Sequence, residues 1–195
     1  MGKYPFSPRP GFSGWDFHLI ERVAIIEALE AKYPAPALLR EEAKERAIAR
    51  MVKMVKVNQL SPAMSHLVRQ TFGGAGDPEK LEKARQQVVA VLRFFEDLWG
   101  DRPFFGSSSA ITLADVVAGV SVPWLPELGV SLEKYPNLQA WRDRLNSRAS
   151  WQKTQASPEL VEAFKLPMKQ LMKAQQCQPF SDEINQLRKT ADNSI

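Results

Sequence analysis

Five basic side chains against one acid crowd residues 44–56: Lys44, Arg46, Arg50, Lys53 and Lys56 against Glu45. Arg46, Arg50 and Lys53 fall at i, i+4 and i+7, a single stripe on a helix, and Lys56 continues it. Such a stripe could neutralise phosphates, and the formal charge of +4 with a pI of 9.2 points the same way. The distribution argues otherwise. From Pro158 onward Lys165, Lys169, Lys173, Arg188 and Lys189 are balanced by Glu159, Glu162, Asp182, Glu183 and Asp192. No aromatic platform or recognition motif accompanies the basic stripe. A solvated helix face is therefore expected, nucleic acid is not the expected partner, and contact through Arg46, Arg50, Lys53 and Lys56 is the competing reading.

The other reactive side chains are few. His18 and His66 are too sparse for a metal cage of three or four ligands at short spacing, so no metal is expected. Cys177 is the single cysteine, which excludes an intrachain disulfide framework, and no neighbouring His or Arg would activate its thiol. Gly73-Gly74-Ala75-Gly76 follows a helical pattern rather than a strand, which argues against a phosphate cradle. Thr112 and Asp115 have the spacing of a capping box, with Ile111 and Val116 as its apolar staple, and their expected role is structural.

The elements that would hold these groups read as helices throughout. Leu19, Val23, Ile26 and Leu29 make an apolar stripe that ends near Tyr33-Pro34. Residues 41–60 predict a long helix with Ile48, Met51, Val52, Val55 and Leu60 inward, interrupted or kinked at Pro62 before Met64 to Phe72 resumes. Asp77-Pro78 supplies a cap and first residue for a helix over Glu79–Leu98 that stops at Gly100. Pro123-Trp124-Leu125-Pro126 reads as a turn or helix end, 136–147 as a helix, and 150–154 as a short one. No strand pattern appears. Prolines 5, 8 and 10 among several aromatics predict an extended arm over 1–17, and 158–195 reads as a helical tail. The N-terminus has no secretory h-region and the longest apolar stretch, 116–130, is broken by prolines, so no membrane span and a cytoplasmic location are expected.

The box at Thr112 and Asp115 precedes Tyr135-Pro136-Asn137-Leu138-Gln139-Ala140-Trp141-Arg142-Asp143-Arg144 by a fixed interval. That pairing resembles the C-terminal helical domain of the glutathione S-transferase family, with Thr112, Asp115 and Trp141 as its structural signature. Residues 19–39 resemble the last helix of that family's thioredoxin-like half plus the linker, and 41–50 the start of the first C-domain helix. The resemblance implies an all-α glutathione S-transferase C-terminal-like helical bundle over 18–157, with an arm before it and an extra helical tail after it. Within it, 18–34 would correspond to the end of the N-terminal half.

The departures shape the functional expectation. In the family, glutathione is held almost wholly by the thioredoxin-like half, with an acidic-or-Gln–Ser pair at its last helix holding the γ-glutamyl group. Glu21 stands at the acidic position, but Arg22 replaces the serine. Only 20 residues precede Glu21, too few for that half, which is therefore expected to be largely missing. Tyr4, Ser7 and Ser13 lie near the N-terminus without a partner to activate them, so no catalytic residue is assigned. In the family an apolar cleft faces the N-terminal half. Met51, Met54, Val55, Asn58, Met64, Pro123 and Trp124 would line it here, and left uncovered it would mark an interaction site. The expected function is a non-catalytic module that binds a protein, a second protomer or a hydrophobic small ligand, with no cofactor. The alternative is a glutathione-dependent transferase acting on hydrophobic electrophiles, with a rebuilt or partner-supplied glutathione site in which Glu21 takes part.

Overall fold

The computed structural model describes residues 19, 21–72, 74, 76–100, 102–107, 109–157, 159, 160, 162, 163, 167, 169 and 170. Between residues 22 and 152 lie seven α-helices: α1 (Arg22–Lys32), α2 (Ala43–Val55), α3 (Ser61–Thr71), α4 (Pro78–Leu98), α5 (Leu113–Gly119), α6 (Pro136–Asn146) and α7 (Ala149–Gln152), and the described residues from 159 to 170 are helical too. No strand occurs among the described residues, and an isolated bridge from Phe104 to Ser107 closes a turn. The architecture is all-α, as the 3.6-residue apolar spacing requires. The expected arm over 1–17 and most of the expected tail over 158–195 lie outside the described residues.

Helix α4 is the central strut. Leu81, Ala84, Val88, Val91, Leu92 and Phe95 recur at three- and four-residue spacing and all are buried. Asp77 starts the helix by accepting the Glu79 amide at 3.0 Å, and Pro78 takes the first position, where its missing N–H costs nothing. Helix α3 packs along α4, and α2 along α5. At the far end of α4, Phe95, Trp99, Phe105 and Trp141 form an edge-on aromatic cluster, with Trp99 and Phe105 centroids 4.4 Å apart.

One expectation about helix ends is sharpened and another corrected. The interruption expected at Pro62 falls just before it, and the chain stays helical through it. Lys56–Leu60 forms one wide π-helical turn in which the Ser61 amide reaches back to the Lys56 carbonyl, and α3 follows directly. A proline within a helix removes an amide and pushes its ring at the carbonyl four residues back, here Asn58. The wide turn moves that carbonyl out of the way, so the helix continues. Helix α1 also starts at Arg22 rather than Leu19, because Glu21 has φ 73° and ψ 118°, outside helical space. No residue of α1 is fully buried. It is held instead by polar contacts: Glu27 pairs with Lys53 of α2, and Glu30 accepts the Leu38 and Leu39 amides at 2.7 and 2.8 Å.

Candidate functional site

The most highly connected polar group is Asp115, and its role is structural. Its Oδ1 accepts the Phe105 amide and the Trp141 indole N–H, each at 2.9 Å. Its Oδ2 accepts the Thr112 amide at 2.7 Å, the capping-box bond expected from the spacing. The Thr112 hydroxyl lies 2.8 Å from Oδ2 and 2.9 Å from the Phe105 carbonyl, and its single proton serves one of them at a time. Burial pushes the Asp115 carboxyl above the ordinary aspartate range, while the four donors pull the other way without cancelling it. Asp115 therefore joins α5, the 104–107 turn and α6, and it sits enclosed by aromatic rings rather than in a cleft open to substrate.

The basic stripe does not survive as one face. Arg46 turns back to donate to the Arg40 carbonyl at 2.9 Å and the Glu41 carbonyl at 3.0 Å. Arg50 is exposed, whereas Lys53 and Lys56 are only 4% and 3% exposed. Lys53 is directed at Glu27 of α1, and Lys56 lines a cavity with Arg22. Three of the four bases thus serve separate neighbours, with Glu27 of α1 at Lys53 and Arg22 of α1 beside Lys56, and only Arg50 stays on an open face.

The residues expected to line an apolar cleft divide as well. Val55 and Met64 are half-buried against the core, and Pro123 is half-buried in a 3-10 turn over Val122–Trp124. Asn58 lies exposed in the π turn. Met51, Met54 and Trp124 are 38%, 49% and 46% exposed, and Val120, which sequence reasoning missed, is 53% exposed.

Helices α2 and α5 run in the same direction. The first turn of α5 is bonded through Asp115 to Phe105, and the adjacent Gly106 lies against Glu45 and Ile48 near the start of α2. Just beyond its last turn, Ser121 shares a cavity with Lys56, which follows α2. Met54 and Val120 therefore lie toward the same end of the two helices. Val120 left no apolar-stripe signal, because it is the residue that follows α5.

Glu21 is the N-cap of α1, exposed, and its side chain makes no cap bond to the helix. Tyr4, Ser7, Ser13, His18 and Cys177 lie outside the described residues. Among the described residues no group of three or more His, Cys, Asp or Glu could hold a metal ion. No described helix is long and apolar enough to cross a membrane.

A family profile described as the glutathione S-transferase C-terminal domain matches residues 65–144, from α3 through most of α6. The chain is 28% identical over 181 residues to glutathione S-transferase F14 of Arabidopsis thaliana, covering 85% of this chain and 71% of that one. It is 30% identical over 154 residues to human glutathione S-transferase theta-2, covering 71% of this chain and 59% of that one. A rice glutathione S-transferase solved in complex with glutathione superposes with a TM-score of 0.66 at 28% identity, covering 78% and 72% of the two chains. Residues 65–144 are a glutathione S-transferase C-terminal domain. What the chain shares with that family is the C-terminal helical domain in which Asp115 and Trp141 are buried together. The relatives are longer: the chain spans 59% of the human protein's length and 71% of the Arabidopsis protein's.

Proposed function

We propose that this glutathione S-transferase-family domain acts as a non-catalytic binding module. It receives a protein, a second copy of the chain or an apolar small ligand at the shared end of α2 and α5. The observation that carries the reading is the exposure of Met51 and Met54 on α2, Val120 just after α5, and Trp124 shortly beyond it. Large apolar groups gathered on a surface mark interaction sites, and methionine and tryptophan suit adaptable apolar contacts. Light scattering and titration with an apolar fluorophore test it on the full chain. Met54→Glu should weaken fluorophore binding or self-association several-fold while leaving the thermal midpoint unchanged, since Met54 faces solvent. A wild-type chain that stays monomeric and takes up no fluorophore would sink the idea.

A second reading, glutathione-dependent transfer to a hydrophobic electrophile, is favoured by one backbone observation. Glu21, the residue at the γ-glutamyl position by resemblance, sits at φ 73°, a conformation a non-glycine residue holds only at a cost of about 1–3 kcal/mol. Such strain gathers where a side chain or amide is held ready for a ligand. Calorimetric titration with glutathione and a conjugation assay on an electrophilic aromatic test it. Saturable binding with turnover that falls in Glu21→Ala would establish this reading over the first. The absence of both would remove it.

A further inference from the structure

A second concavity lies on the flank of the bundle, bounded by the start of α1, the π turn, α3, the start of α4 and the residue after Val120. Its volume is about 640 Å³, within the range of small-molecule sites. Four cationic side chains line it: Arg22, Lys56, Arg69 and Lys80. Asp77 is the one carboxylate residue in its wall among the described residues, and that group already accepts the Glu79 amide and lies 3.9 Å from Lys80. No ion pair joins Arg22, Lys56 or Arg69 to a carboxylate among the described residues.

Lys56 is the informative member. Its side chain is 97% removed from solvent, yet it lines the cavity rather than filling the core. Burial lowers its ammonium below the ordinary lysine value, and the Arg22 charge adds to the effect. Buried ammonium groups are retained when an anion compensates them. Among the described residues of this wall the protein supplies none beyond Asp77, which leaves room for an anionic ligand.

We infer that this cavity binds a phosphorylated small molecule, with Lys56, Arg22 and Arg69 around the phosphate and Met64 and Leu81 against an apolar body. The charge count selects phosphate over a single carboxylate. Four cations against one acid leave an excess of three, and a phosphate monoester brings a charge of about −1.5 to −2 and three acceptor oxygens. Arginine matches those oxygens two at a time, and the lysine acts as a point charge. Met64 and Leu81 line the same space and give the ester's organic part a surface that inorganic phosphate would not use. The cavity adjoins the α2–α5 end through Ser121 and Lys56, and Arg22 follows Glu21, so the comparison of ester with alcohol is what separates phosphate recognition from the apolar binding proposed above.

Calorimetric titration of the full chain at low salt with 1-naphthyl phosphate, inorganic phosphate and 1-naphthol tests it. The ester should bind at least about tenfold more tightly than either part, as expected for one or two charged hydrogen bonds added to apolar contact. Lys56→Met and Arg69→Gln should each weaken the ester about tenfold and leave 1-naphthol unchanged. Lys83→Gln, at an exposed α4 lysine paired with Glu79 outside the cavity, should change nothing. Arg69 is exposed, so its variant folds and carries the test even if Lys56→Met does not. Equal binding of ester and alcohol, inorganic phosphate as tight as the ester, or unchanged ester affinity in Arg69→Gln would each overturn the inference.

Discussion

At the scale of single residues, Asp115 shows how much one buried carboxylate can join. Its two oxygens take donors from three separate segments of chain, and replacing it removes acceptors that nothing else in the enclosure supplies. Asp115→Asn turns an N–H group toward the Thr112 amide, so a buried donor goes unpaired. A loss of about 1–3 kcal/mol is expected, read from denaturant unfolding. The pH dependence has a definite sign. Because burial raises the folded-state value, the folded chain holds the Asp115 proton more tightly than the unfolded chain does. That stabilisation is present below about pH 4, the unfolded aspartate value, and is lost as pH rises through the folded one. The stability gap between wild type and Asp115→Asn should therefore narrow as pH rises across the acid range, and a gap that widens would contradict the assignment. Gly106 is the second fixed point: at φ 68° a Cβ would meet the Glu45 carbonyl at 2.8 Å and Ile48 at 3.2 Å. Gly106→Ala should cost more than about 1 kcal/mol, seen as a lowered thermal midpoint. The Thr112–Asp115 box was readable because both halves lie three residues apart. The bonds to Phe105 and Trp141 were not, since they span 10 and 26 residues.

At the scale of elements, local signals placed the helices and long-range contacts decided their ends. Asp77-Pro78 and Gly100 framed α4 because caps and breakers act within one turn. Helix α6 shows the opposite case. Its N-cap, Tyr135, makes no side-chain cap bond, and the first-turn amides of Asn137 and Leu138 are taken by Glu96 of α4 at 2.9 and 3.0 Å. A carboxylate from another helix also complements the positive end of the α6 dipole. Nothing in the spacing of 41 residues announces this. Glu96→Ala should destabilise the chain by about 1 kcal/mol, with early amide exchange in the first turn of α6. The basic stripe failed as a surface for the same reason: periodicity puts Lys53 and Lys56 in register, but only the folded chain brings Glu27 to Lys53 and buries both lysines.

At the scale of the whole molecule, two kinds of attachment coexist. Helix α4 contributes six buried residues to the core and α1 contributes none, so α1 is held by the Glu27–Lys53 pair and the Glu30 bonds. Hydrogen exchange should find α1 amides opening well before those of α4, and the difference should grow with salt as the ion pair is screened. Equal protection of the two helices would show that apolar contact holds α1 after all. The π turn has a different consequence, one of angular phase. Each residue of an α-helix turns the chain by about 100°, so a deletion within α2 would swing everything after it to a wrong face. The turn at Lys56–Leu60 already contains one residue more than an α-helical path needs, so removing Asn58 should restore regular winding without rotating α3 against α2. Pro62 forbids that regular winding. The deletion should therefore be tolerated only alongside Pro62→Ala, and each change alone should be worse than the pair. Proline and surplus residue would then count as a single inherited unit of the chain, gained or lost together.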